Sequence, residues 1–172
     1  MGARPVTRRL RLVLVLFAAL TLHQSLFATL RVGDAHPQLL LLVAVVAGLL
    51  AGAERGALIG FTVGLVSDLF VQTPLGLSAL TFALVAFVVG SLQSGIVHSA
   101  WWIGPLTALV ASFAGVVLYG LLGAIIGQAS FVSPRLVEIA AGVGVMNALL
   151  SVPVVRAMAW ALDSPAERAF AR

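Results

Sequence analysis

Long apolar runs broken by brief polar interruptions organise this chain. The first covers about residues 12–30, and five more follow at about 37–53, 56–71, 76–97, 102–127 and 136–155. An apolar run near 20 residues is what a hydrocarbon core of about 30 Å requires. The pattern predicts an all-α integral membrane protein, a single transmembrane domain over residues 1–172 with six helices. The second and third runs are short and parted by Glu54-Arg55, which predicts a tight hairpin at that pair. The fifth is long enough to tilt or bend, with Pro105 in its first turns. Pro153 lies where it would shorten or kink the sixth.

A basic segment followed by an apolar run also describes a secretory signal. Here Leu26-Phe27-Ala28 puts a leucine where a cleavage site needs a small residue, and the run is long enough to span. The expectation is an uncleaved first helix.

Composition narrows the function classes. Of 172 residues, 61% are apolar and 9% charged, against roughly 45–50% and about 25% in a soluble domain. That leaves too little polar surface for a soluble enzyme, a nucleic-acid-binding domain or a disordered regulator. The absence of cysteine excludes disulfides, thiol catalysis and cysteine-ligated metals.

The net charge of +4 is a topology signal. All ten basic residues are arginine. With six spans and an inner N-terminus, Arg4, Arg8, Arg9, Arg11, Arg55, Arg156, Arg168 and Arg172 fall on the inner face. Only Arg31 and Arg135 fall outside, each followed by an acid, Asp34 and Glu138. This positive-inside asymmetry predicts cytoplasmic termini and an attraction to anionic inner-leaflet lipid.

The connecting segments offer no catalytic motif. There is no phosphate-cradling glycine loop, no paired-histidine zinc motif, no nucleophile elbow and no carboxylate cluster. His23, His36 and His98 are scattered, so no shared metal is expected. Trp101, Trp102 and Trp160 fall at span ends, where indoles sit at the headgroup level. The reading is of a non-enzyme without cofactor, metal or nucleic acid, in which the helices carry the function.

Asp68 is the polar residue that most needs explaining. It lies twelve positions after Gly56, roughly 18 Å along a helix, where a bare acid costs at least ~2.5 kcal/mol. Two roles fit it. One is a proton-relay, solute or partner contact. The other is a helix-terminal acid held by nearby backbone or by Gln24, Ser78 or Thr81. Gln24 and Asn147 are the companion candidates for intramembrane polar or partner contacts, with Gln93, Ser112, Ser91 and Ser94 as further polar positions. A second constellation is glycine: Gly48, Gly52, Gly56, Gly60 and Gly64 recur every four residues. Small residues at this spacing let helix backbones approach closely. Gly52, Gly56, Gly60, Gly64 and Gly76 are the candidates for helix packing, and a turn near Glu54-Arg55 divides the series between two helices.

The string Pro37-Gln38-Leu39-Leu40-Leu41-Leu42, then Gly52, Gly56, Gly60-Phe61, Gly64-Leu65, Asp68-Leu69, Leu75-Gly76-Leu77 and Ala79-Leu80, resembles the MreD family of small polytopic inner-membrane proteins. Gln24-Ser25 late in the first run is similar too. The specific match covers about residues 20–90, and the last two runs fit by hydropathy. One departure is Gln38, where that family often carries an acid.

The resemblance implies a non-enzymatic scaffold of the bacterial cell-elongation complex, acting in peptidoglycan synthesis and cell-shape maintenance. Its direct partner would be the bitopic protein MreC. MreB, RodA and a class B penicillin-binding transpeptidase would be indirect partners. The implied fold is similar to the six-helix substrate-binding subunits of energy-coupling-factor transporters, so a vitamin-binding transporter subunit is the alternative. Such a pocket needs convergent polar groups, whereas the expected outer segments are brief and sparsely polar.

Overall fold

A computed structural model describes residues 5–25, 38–70, 74–93, 102–127 and 134–162. Among the described residues the chain forms six α-helices and no strand. They are α1 (Pro5–Ser25), α2 (Leu39–Ala51), α3 (Ala53–Asp68), α4 (Leu77–Gln93), α5 (Ile103–Ile125) and α6 (Leu136–Leu162). Of these, α5 and α6 are long and apolar enough to cross a membrane by themselves. The helices α2 and α4 are apolar but shorter. Helix α1 carries Arg8, Arg9 and Arg11 in its first turns, and α3 carries Glu54, Arg55 and Asp68.

The centre of the bundle is α2. Its sequence Leu-Leu-Leu-Leu-Val-Ala-Val-Val-Ala-Gly-Leu has no polar face, and every residue from Leu39 to Leu49 is buried. A helix apolar all round is stable only when surrounded, and here α1, α3, α4, α5 and α6 all pack on it. Thirteen residues reach only about 20 Å.

The outer surface is apolar as well. Leu58, Phe61 and Leu65 on α3, Phe87 and Val88 on α4, Val110 and Leu121 on α5, and Val145 and Leu149 on α6 are exposed. Apolar patches on water-soluble monomers rarely exceed a few hundred Å². A surface of this kind running over several helices belongs in lipid.

Two sequence expectations are corrected. The turn between the second and third runs is at Gly52, while Glu54 and Arg55 already lie in the first turn of α3. Gly52 has φ 82° and ψ 179°, a region essentially closed to residues with a Cβ. Glycine permits the reversal in one residue, so the charged pair has no part in it. Pro153 does not shorten the sixth helix at the expected position 155, because α6 continues through it to Leu162. Neighbouring helices and local adjustment accommodate proline in membrane helices. Pro105, by contrast, is the third residue of α5, where the missing N–H has no intrahelical acceptor in any case.

Candidate functional site

The turn between α3 and α4 is built around Asp68, the last residue of α3 and 2% exposed. Its Oδ2 accepts hydrogen bonds from the backbone N–H of Gly76 at 2.8 Å and of Ala79 at 3.3 Å. Its Oδ1 accepts from the N–H of Ser78 at 3.2 Å. The remaining N–H at the start of α4, that of Leu77, donates to the Pro74 carbonyl at 3.2 Å.

A helix opens with N–H groups that have no partner within it, and in lipid each one left bare costs several kcal/mol. Asp68 and Pro74 satisfy all of them here. The carboxylate also lies at the positive end of the α4 dipole, where negative charge is favoured. Gly76, with φ 98°, supplies the left-handed residue that brings its own N–H onto Asp68. Of the two roles open for Asp68, its described hydrogen bonds are those of a helix-terminal acid holding neighbouring backbone. Thr81 is buried nearby in sequence but donates to the Leu77 carbonyl at 2.8 Å. The side chains of Gln24 and Gln93 lie outside the described residues.

Asn147 forms a second polar node, 0% exposed and about midway along α6. Its Nδ2 donates to Ser112 Oγ on α5 at 2.9 Å and to the Gln38 carbonyl at 3.2 Å. Gln38 caps the short central helix, so one side chain ties α6 to α5 and to the buried start of α2. The Asn147 Oδ1 is buried and has no hydrogen-bond partner among the described residues. Asp68 and Asn147 share no hydrogen bond, and the structure gives them separate structural tasks.

The glycines divide into two sets. A Cβ on Gly56 would lie 2.5 Å from Gly48 Cα, one on Gly60 2.7 Å from the Phe82 carbonyl oxygen, and one on Gly64 2.5 Å from the Ser78 carbonyl oxygen. These three are close-packing positions, and Gly48 is another, against the Ala86 backbone. Gly52 and Gly76 are different: a Cβ there would meet nothing within 4 Å, and both have positive φ. They are turn residues, which corrects their assignment to helix packing. Spacing alone cannot separate a glycine chosen for missing volume from one chosen for φ. Gly90, against the Gly52 and Ala53 backbone, escaped the sequence reading. Its signal is Ala86-x-x-x-Gly90, the small-residue spacing carried on the facing helix.

A cavity of about 740 Å³ opens between α4 and α5. Leu84, Val88, Leu92, Val110 and Val117 are among its lining, and Thr107 is the one residue of that lining with a side-chain hydroxyl. This is an apolar groove in an apolar surface, without the placed polar contacts of a solute pocket. Among the described residues no group of histidines and acids is arranged to hold a metal ion.

The model of the rod shape-determining protein MreD matches residues 7–159 of the 172-residue chain. No curated protein and no solved structure matches it. The match runs from the third residue of α1 to the last turn of α6, well beyond the region that carried the motifs, and the chain belongs to the MreD family of membrane proteins.

Proposed function

We propose that this protein is a non-catalytic scaffold of the bacterial cell-elongation complex. In this reading six helices cross the inner membrane, both termini are cytoplasmic, and MreC is the direct partner. MreB, RodA and a class B penicillin-binding transpeptidase are reached through the assembly, so the protein supports peptidoglycan synthesis without performing it.

The observation that carries this reading is how the interior polar groups are used. Asp68 holds the start of α4, and the Asn147 amide braces α2 and α5. The glycine faces are filled by the chain's own helices. What these elements present outward is apolar surface, the kind that receives another protein's helix. The energy-coupling-factor alternative gains no support from the α4–α5 cavity, which has the wrong lining for a vitamin.

Affinity purification in mild detergent tests the proposal. Recovery of MreC with elongation proteins supports it. Recovery of an ATPase with a coupling subunit in place of MreC overturns it in favour of the transporter reading. The purified protein is also expected to leave lipid-linked cell-wall precursor unpolymerised, measured by incorporation of labelled precursor.

A further inference from the structure

Helices α4 and α5 are each drawn tightly to another neighbour. Gly60 and Gly64 of α3 bring the α4 backbone so close that an added Cβ would lie 2.7 Å and 2.5 Å from its carbonyl oxygens. Gly144 of α6 does the same to α5, where a Cβ would lie 2.9 Å from the Leu109 carbonyl oxygen. Among the described residues no glycine sets the α4 backbone against that of α5. Gly115 of α5 meets side chains, the nearest being Leu41 of α2. The cavity of about 740 Å³ lies along this looser seam, deep enough for Leu49 of α2 to share its lining.

The shape and polarity of the groove point to its occupant. Leu84, Val88 and Leu92 on α4, and Val110 and Leu121 on α5, are all exposed, so the groove opens sideways onto the lipid-facing surface. Its α4 wall runs from Leu92 back to Leu84, about 12 Å, and its α5 wall from Thr107 to Leu121, about 21 Å. Both fall short of the roughly 30 Å that a crossing helix needs, and they bracket the roughly 15 Å depth of one leaflet.

Polarity changes in order along α5. Trp102, just before the helix and 52% exposed, belongs at the headgroup level. Thr107 lies five residues on, about 7 Å deeper, where lipid ester groups begin. Beyond it the lining is hydrocarbon alone. Thr21, Thr62 and Thr81 donate their hydroxyls to the carbonyl four residues back. Thr107 makes no such bond among the described residues, which leaves its hydroxyl to the groove.

We propose that the α4–α5 groove binds one acyl chain of a phospholipid, whose ester carbonyl accepts a hydrogen bond from Thr107 Oγ1 while the chain runs over Ala114 toward Leu121. In the topology proposed above, this lipid belongs to the cytoplasmic leaflet. The chain fills the seam between the α3–α4 and α5–α6 pairs and completes their contact. No charged group lines the groove, so recognition is of chain and ester rather than of headgroup.

Photolabelling of the full-length protein in vesicles tests the proposal. The probe is phosphatidylcholine with a diazirine midway along one acyl chain, and adducts are mapped to peptides by mass spectrometry. Adducts on residues 84–92 and 106–121 should exceed those on the exposed α6 face around Leu149 about threefold, the worth of one hydrogen bond in a membrane. The same probe with a phosphatidylglycerol headgroup should give the same ratio. Ala114 is exposed in the groove, so Ala114→Trp should fill it and bring the ratio to parity. Thr107→Val should lower the ratio while keeping the side-chain shape. Unchanged α6 adducts report an intact fold in both variants. Parity in the unaltered protein overturns the proposal in favour of ordinary annular lipid. So does a ratio that Thr107→Val leaves unchanged, a test that holds even if Ala114→Trp fails to fold. An unlabelled groove beside a labelled α6 face overturns it in favour of protein cover, from a partner's helix or from residues 94–101, which lie outside the described residues.

Discussion

Three backbone N–H groups converge on Asp68, so its two nearest replacements should separate clearly. Asp68→Ala leaves the N–H groups of Gly76, Ser78 and Ala79 without acceptors in a buried turn. The cost is on the order of 1–3 kcal/mol even with some rescue by other partners. Asp68→Asn can set its carbonyl oxygen where Oδ2 stands and keep two of the three bonds. Its amide then faces the Ser78 N–H, donor against donor, and the charge at the helix end is lost. The expected order of stability in detergent is wild type, then Asn, then Ala, measured as the midpoint of denaturant or thermal unfolding. Asn as damaging as Ala would show that charge rather than acceptance is what the site needs. Asn147→Ala should cost less, about 0.6 kcal/mol for its hydrogen bonding plus a small cavity, because the Gln38 carbonyl keeps its bond from the Leu42 N–H at 3.0 Å. Asp68 stood out in the sequence because an acid inside an apolar run is anomalous on energy alone. Its partners were hidden because they are main-chain groups, which have no letter in a sequence. The Asn147 bond to the Gln38 carbonyl, 109 residues away, was hidden for the same reason.

Helix by helix, what could be read depended on how many physical causes produce the same pattern. Hydropathy located all six elements, because in a chain with so little charge a long apolar run has essentially one use, a helix shielded from water. The ends are less legible: the sixth apolar run is read to about residue 155, whereas α6 continues to Leu162. Glycine was ambiguous, since one residue type serves both close approach and positive φ. The two uses predict different responses to alanine. Gly64→Ala drives a Cβ into the Ser78 and Ala79 backbone, which cannot move aside without separating α3 from α4. A loss of about 1–3 kcal/mol is expected, as for overpacking elsewhere. Gly52→Ala meets no atom within 4 Å yet should cost a similar order, about 1–3 kcal/mol, through backbone strain alone. Gly104→Ala is the control, a helical glycine with nothing within 4 Å and no positive φ. It should be neutral or slightly stabilising, by no more than about 1 kcal/mol. Unfolding of the three variants in one detergent checks the set, and a neutral Gly64→Ala would remove the close α3–α4 approach.

For the whole molecule, the arginine distribution and the helix order combine into one prediction about orientation. Glu54 and Arg55 lie in the first turn of α3, just after the Gly52 turn, and Pro134 and Arg135 immediately precede α6, so the chain runs through α3, α4 and α5 between them. In the proposed six-span topology, three crossings place these two points on opposite faces. If the arginine-rich face is cytoplasmic, the Glu54 turn is inside and Pro134 is outside. The chain has no cysteine of its own, so each single introduced cysteine is an unambiguous probe. Glu54 and Pro134 are both exposed, which makes Glu54→Cys and Pro134→Cys mild substitutions. In intact cells with a permeable outer envelope, a membrane-impermeant maleimide should label Pro134→Cys and leave Glu54→Cys unlabelled. Both should label after the inner membrane is opened, which controls for reactivity. The reverse pattern would invert the molecule and place the Thr107 end of the α4–α5 groove in the outer leaflet. Labelling of both in intact cells would mean that α3, α4 and α5 do not make three crossings. A reporter fused after Arg172 gives the independent check, and it should report the cytoplasm. Six crossings return the chain to the side on which it began, and an exterior C-terminus would require an odd number.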